Sequence, residues 1–305
     1  MGFLYMLEKI RMPGLNESML LITKLGEETA FLVAALIVFW CVDKRKGYFV
    51  MTVGFIGTIA NQFLKLACRV PRPWVLDENF TILEQAREAA AGYSFPSGHS
   101  QSAVGTFGSI AATAQKRWVR GVCIAICILV PLSRMYIGVH TPADVLVGAG
   151  MALIMVLALR RPVVEQEKTA MKILIPAMIL MAIGLLLYTE LWPFPADMDV
   201  HNLESGTKNA YTMIGGLTGV AVVYVAERKF VDFTTEAVWW AQLLKIVMGL
   251  GAVLLVKEGM RAPLEWLLGD PLPARAVRYF LIVLVAGFVW PISFRWFSKL
   301  GRNKA

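Results

Sequence analysis

The chain has 305 residues, 57% of them hydrophobic and 17% charged, with a formal net charge of +8. That is too apolar for a soluble domain of this size, and the apolar residues fall in runs of the roughly 20 residues that a hydrocarbon core about 30 Å thick requires. The positive charge would suit nucleic acid, but no basic patch stands apart from the apolar runs; it reads as basic loops on the cytoplasmic face, and nucleic acid is not an expected partner.

In chain order, the first 17 residues form an N-terminal segment. It carries Glu8 among apolar residues and lacks a small-residue cleavage site, so it reads as an amphipathic helix at the membrane interface rather than a signal peptide. Nine apolar spans follow, at 18–42, 48–69, 97–115, 118–133, 141–159, 171–189, 209–226, 238–256 and 277–296. The expected fold is therefore an all-α polytopic membrane protein. Two connections, 70–95 and 190–208, are long and polar. The second holds an acidic cluster, Glu190, Asp197, Asp199, His201 and Glu204, which reads as a solvated loop, with a divalent-cation site as the alternative. Gly215, Gly216 and Gly219 suggest close helix packing. The four cysteines match neither a zinc site nor a disulfide framework and read as small core residues.

Basic residues set the expected orientation. Lys44, Arg45 and Lys46, then Lys116, Arg117 and Arg120, then Arg160, Arg161, Lys168 and Lys172, share one side with Arg228, Lys229 and the tail cations Arg295, Lys299, Arg302 and Lys304. The positive-inside rule puts that side in the cytoplasm, the N-terminus outside and the C-terminus inside. The loop near Arg261, Arg275 and Arg278 runs against the bias. Trp40, Trp118, Trp239, Trp240 and Trp296 at inner helix ends, and Trp74, Trp192 and Trp266 at outer ends, suggest two aromatic belts.

Three segments on the outer face carry polar residues that hydropathy does not explain: Lys65 with Arg72-Pro73; Pro96-Ser97-Gly98-His99; and Ser133-Arg134 with His140 and Asp144. A phosphoryl transition state spreads negative charge over oxygens and calls for preorganised cations and N–H donors. Lys65, Arg72 and Arg134 can supply the cations, and arginine forks match phosphate oxygens. Ser97-Gly98-His99 opens a membrane helix, whose N-terminus is an anion site. His140 and Asp144, four apart, meet on one helix face; the carboxylate can fix the imidazole tautomer and leave the other nitrogen as a nucleophile, with His99 as the acid–base. Structural alternatives stand beside this reading. Thr141-Pro142-Ala143-Asp144 also reads as a capped helix start, Ser97 as an N-cap, Lys65 as a snorkelling lysine, and His140 with Asp144 as a metal site that three cations would repel. Jointly, ionisable groups at membrane depth favour function.

These three motifs, in this order and spacing, resemble the signature of the type-2 phosphatidic acid phosphatase superfamily. The resemblance covers about residues 18–160. It implies His140 as nucleophile, Asp144 as its orienting partner, His99 as acid–base, and Lys65, Arg72, Ser97, Gly98 and Arg134 as phosphate ligands, with no metal and no other cofactor. It implies a phosphohistidine intermediate and a membrane lipid phosphate or diphosphate as substrate; the orientation argued above puts the reaction at the outer face, expected to be that of the plasma membrane. The family core usually has six membrane helices, against five here. The expected division is thus 1–17 interfacial, 18–160 phosphatase core and 161–305 additional transmembrane helices without an assigned role. Among substrates, the resemblance favours a polyprenyl diphosphate such as undecaprenyl diphosphate, with a sphingoid-base phosphate suggested by Tyr93-Ser94-Phe95, and phosphatidate or phosphatidylglycerophosphate also open. A phosphotransferase using the same site, and a non-enzymatic lipid transporter, are the other classes. The residues are silent on oligomeric state.

Overall fold

A computed structural model of the chain describes residues 1–87, 90 and 92–300. Every regular element among them is helical. Two short helices, α1 (Gly2–Lys9) and α2 (Pro13–Thr23), precede α3 (Glu28–Cys41) and α4 (Lys44–Cys68). After the one-turn α5 (Pro73–Leu76) come α6 (Gly98–Thr113), α7 (Arg117–Tyr136), α8 (Pro142–Glu165) and α9 (Glu167–Leu191). The remainder is α10 (Val200–Ala226), α11 (Trp239–Gly259), α12 (Arg261–Leu268), α13 (Pro271–Leu284) and the terminal turn α14 (Phe294–Phe297). The tail cations Arg302 and Lys304 lie outside the described residues.

Among the described residues, seven helical stretches are long and apolar enough to cross a membrane, those built on α4, α7, α8, α9, α10, α11 and α13. The two other expected spans are shorter: α3 has 14 residues and α6 has 16. At 1.5 Å per residue they reach about 21 and 24 Å. The expected span 18–42 is not one helix. α2 ends at Thr23, a 3-10 turn covers Lys24–Gly26, and Glu27 is extended before α3 begins. Packing requires the break: a Cβ on Gly26 would stand 2.8 Å from the His99 carbonyl oxygen, so the chain must pass α6 there without a side chain. The connection 190–208 also differs from expectation, because its second half is helix. Asp199 caps α10 by accepting the Asn202 N–H at 2.9 Å. Glu204 pairs with Lys208 at 3.4 Å, and among the described residues no group of three His, Cys, Asp or Glu side chains could hold a metal ion.

α6 packs against α4, α7 and α8, and α4 also meets α3, α8, α9 and α10. α13 packs on α10, and α11 against α13. One apolar cluster joins both halves of the chain, running from Phe39, Trp40 and Tyr48 to Met178, Leu217 and Ile282. Trp40 is part of it and not of an aromatic belt. It is fully buried and donates its indole N–H to the Ala286 carbonyl at 2.8 Å, while buried Lys245 donates to the Trp40 carbonyl at 3.0 Å. Trp118, Trp192, Trp239, Trp266 and Trp296 are exposed. At the same end of the bundle Lys44 bridges Glu227 and Asp232, each at 3.0 Å, and Arg228 pairs with Glu167. Only Cys123 is a core cysteine; Cys68 is exposed at the end of α4, and Cys41 and Cys127 are half-buried.

At the opposite end, α1 docks through Leu4, which is buried against Phe80, Ile82, Met135 and Val145. The Tyr5 hydroxyl donates to Asp77 at 2.9 Å, and Arg11 donates to the Tyr136 and Thr81 carbonyls. Two of the three glycines noted above bring α10 and α13 together: a Cβ on Gly215 would lie 2.0 Å from the Ala276 carbonyl oxygen, and one on Gly219 2.9 Å from Val283. Gly215→Val must therefore separate these helices, at a cost of about 1–3 kcal/mol for an overpacked contact. The expected outcome is a lowered midpoint of thermal unfolding in detergent, and an unchanged midpoint would contradict the packing.

Candidate active site

Each of the three polar motifs lies at a helix end on this same side of the bundle. Lys65 is in the last turn of α4, which stops where Arg69 takes a left-handed conformation (φ 50°). Arg72 caps α5 from outside. Both cations reach back into the 70–95 connection. Lys65 Nζ donates to the Tyr93 carbonyl, and Arg72 donates to the Gly92 carbonyl at 3.0 Å and the Val139 carbonyl at 2.9 Å. Ser97 is the N-cap of α6, accepting the Ser100 N–H at 3.4 Å, which leaves Gly98 and His99 in the first turn. Arg134 closes the last turn of α7. His140 lies in the tight α7–α8 connection, and α8 opens with a capping box: the Thr141 hydroxyl accepts the Asp144 N–H at 3.3 Å, and Asp144 Oδ2 accepts the Thr141 N–H at 2.7 Å.

The second and third motifs are clasped through their backbones. The Ser97 N–H donates to the Asp144 carbonyl at 2.9 Å. One turn along α8, a Cβ on Gly148 would lie 2.5 Å from the Ser97 carbonyl oxygen, so only glycine lets the helix approach.

Six of the eight expected site residues, Lys65, Arg72, Gly98, His99, Arg134 and His140, line one chamber of about 300 Å³. Ser97 and Asp144 do not line it; both are buried behind it, Ser97 as a cap and Asp144 against His140. His140 Nδ1 stands 3.5 Å from Asp144 Oδ2, and Nε2 is 2.9 Å from Arg72 Nη1. Arg72 Nη1 is also 3.4 Å from Nδ1, so Nε2 is the nitrogen nearer the arginine. Burial, reinforced by Arg72, Arg134 and Lys65, holds the His140 imidazole neutral, with its pKa well below the usual histidine range. Arg134 is 1% exposed and donates Nη1 to the Thr23 hydroxyl at 2.8 Å, while its Nε and Nη2 have no hydrogen-bond partner among the described residues. His99 Nε2 is buried and likewise without one. Buried donors left open around a chamber of cations are what an anion would satisfy.

Sequence reasoning missed several contributors. Ser94 is fully buried, and its hydroxyl donates to Asp144 Oδ2 at 2.6 Å and lies 3.4 Å from His140 Nδ1. Thr23 holds Arg134 from a segment that hydropathy assigned to a span. Asn202, Ser205 and Asn209 reach the chamber from α10, in the half of the chain that carried no motif. Their spacings, three and four residues apart, do place them on one helix face, but that signal becomes visible only once 200–208 is known to be helical.

Residues 46–168 match the PAP2 superfamily, and residues 211–303 match the PAP2 superfamily phosphatase transmembrane extension. A phosphatidylglycerophosphatase B of Bacillus subtilis is 31% identical over 159 residues, 48% of this chain and 74% of that protein. An undecaprenyl-diphosphatase of Sulfolobus acidocaldarius is 28% identical over 136 residues, 44% of this chain and 64% of the relative. The undecaprenyl-diphosphatase BcrC of Bacillus subtilis is 32% identical over 101 residues, 33% of this chain and 49% of the relative. No solved structure gives a significant match. The chain belongs to the PAP2 (type-2 phosphatidic acid phosphatase) superfamily. It is a membrane phosphatase.

Ser94→Ala removes a hydrogen bond from a buried carboxylate, worth about 1.5–3 kcal/mol. The expected outcome is a loss of roughly 10- to 100-fold in kcat with little change in KM, and steady-state kinetics with unaltered kcat would show that Ser94 does not act through Asp144.

Proposed function

We propose that the protein hydrolyses a lipid phosphate or diphosphate through a phosphohistidine formed on His140. The observation that carries this reading is the His140 environment: Nδ1 toward a buried carboxylate and Nε2 toward a chamber walled by Lys65, Arg72 and Arg134. The incoming phosphate draws the Arg72 guanidinium onto its own oxygens and so frees the Nε2 lone pair. Nε2 attacks phosphorus as the bond to the leaving oxygen breaks. His99, protonated once the bound phosphate offsets the surrounding cations, gives its proton to that oxygen. Neutral His99 then takes a proton from water as the water oxygen attacks phosphorus, the N–P bond breaks, and inorganic phosphate leaves. Lys65, Arg72, Arg134 and the N–H groups at Gly98 balance the charge on the equatorial oxygens. Ser97 serves by capping α6, and Asp144 by steering His140. This division of roles needs no metal.

For the substrate, a polyprenyl diphosphate such as undecaprenyl diphosphate is the favoured reading. The names of two of the relatives support it, and the name of the third supports phosphatidylglycerophosphate as the alternative. In the membrane, all nine apolar helices cross, with the short α3 and α6 buried among longer ones, and α1 lies at the interface beside the chamber. The chamber faces away from the cytoplasm, supported by the cations at the opposite end, Lys44 to Lys46, Lys116 to Arg120 and Arg228 to Lys229. Residues 18–160 form the phosphatase core and 161–305 an extension.

His140→Ala should abolish phosphate release from isoprenoid diphosphates and lipid monophosphates while leaving the thermal unfolding midpoint in place, and rapid acid quench of the wild type with labelled substrate should trap acid-labile phosphoprotein. Turnover that persists in His140→Ala would overturn the mechanism. Dephosphorylated lipid that appears only with an added hydroxyl acceptor, with the phosphoryl group recovered on that acceptor and no inorganic phosphate released, would make the enzyme a phosphotransferase.

A further inference from the structure

The chamber is not closed below. Beneath His99 it continues into a second cavity of about 310 Å³, and the two share Glu28, Gln62, Gly98, His99 and Asn209. That volume is in the range of small-ligand pockets, about 300–1,000 Å³. Its walls come from both halves of the chain. On one side stand Phe31 and Leu32 of α3 and Phe55 of α4; on the other stand Met213 and Gly216 of α10 and Ile282 and Val283 of α13. A band of amides, Asn61, Gln62 and Asn209, marks the passage from cationic chamber to apolar groove. Below, a narrower apolar pocket of about 50 Å³ shares Phe31, Leu32, Phe55, Ile282 and Val283 and continues between the same four helices to Val223 and Gly287. From Thr212 to Val223 along α10 the groove runs about 16 Å, roughly half the hydrocarbon thickness.

We propose that α10 and α13 of the extension build, with α3 and α4, the groove that takes one hydrocarbon chain of the lipid phosphate, making the extension a determinant of chain recognition. This rests on the lipid-phosphatase reading above. Three features carry it. The groove opens onto the reactive chamber at His99, so a headgroup held by the cations hangs its chain directly into it. The walls change from charged to amide to apolar in the order in which a lipid phosphate does. Finally, the lower part narrows to about 50 Å³, which suits one chain and favours single-chain alkyl or isoprenoid phosphates and diphosphates over diacyl lipids. Gly216 is the position that keeps the groove open: a Cβ there would meet Phe55 at 3.3 Å and nothing else within 3.4 Å, so a larger side chain projects across the gap.

The test measures the ratio of kcat/KM for a long-chain over a short-chain alkyl phosphate in wild type and in Gly216→Leu. The expected result is a fall of at least 10-fold in that ratio, the size of effect that a lost apolar subsite produces. A ratio that stays the same, whether both activities drop together or neither changes, overturns the groove assignment, since a purely structural lesion would scale both substrates alike. Wild type turning over diacyl phosphatidate faster than a single-chain phosphate of equal chain length overturns the single-chain part. Because Gly216→Leu could unfold, the wild type is also labelled with an alkyl phosphonate carrying a diazirine near the chain end. Adducts on Met213 or Ile282 that an excess of unlabelled long-chain alkyl phosphate suppresses support the groove, and adducts confined to lipid-facing positions refute it. Wild type releasing phosphate from neither chain length, offered as the monophosphate or as the diphosphate, would instead sink the lipid-phosphatase reading, while the photolabel still decides what occupies the groove.

Discussion

Asp144 is the point through which the site is assembled. Its side chain accepts the Thr141 N–H and the Ser94 hydroxyl and faces His140 Nδ1, while its carbonyl accepts the Ser97 N–H. One residue thereby starts α8, fixes the loop before α6 and aims the imidazole. A buried carboxylate must be satisfied by donors from its surroundings, or its desolvation is prohibitive. Here those donors belong to the very segments that have to meet. The side chain that caps α8 is thus the same one that stands beside His140.

The cations are arranged on the same economy of position. Lys65 and Arg72 are held by backbone carbonyls of the 70–95 connection, and Arg134 by a threonine from the break between α2 and α3. A chamber lined by three cations, with two Arg134 nitrogens open among the described residues, has the chemistry to receive an anion. Residues of the loop and the broken first span do the positioning, which explains why these irregular parts of an otherwise helical membrane protein lie over the site and not at its periphery.

The two halves of the chain form one packed body. Trp40 and Lys245 link α3 to the extension at one end, the Tyr279 hydroxyl donates to Glu28 at 2.8 Å at the other, and the groove lies between. Gly54 and Gly216 thin the facing helices where the cavity passes; a Cβ on Gly54 would collide with Phe31 at 2.3 Å. Small residues here serve two purposes, close contact of α10 with α13 through Gly215 and an open gap toward α4 through Gly216.

The sequence alone determined the helical membrane class, the three motifs and their shared end of the bundle, because apolar run length, charge at helix ends and short-range spacing are local properties. His140 and Asp144 could be paired on one helix turn, and Ser97 read as a cap, for the same reason. What depended on tertiary structure is whatever joins residues far apart in the chain. That Ser94 supports Asp144, that Thr23 holds Arg134, that the expected span 18–42 breaks at Gly26 to pass His99, and that α10 starts at Val200 to bring Asn202, Ser205 and Asn209 over the chamber all follow from packing between segments 46 to 111 residues apart or more. Hydropathy averages over a window and cannot register a turn forced by a neighbouring helix, nor can it show that Trp40, placed at a helix end as if for the membrane interface, is buried because a distant carbonyl receives its indole N–H.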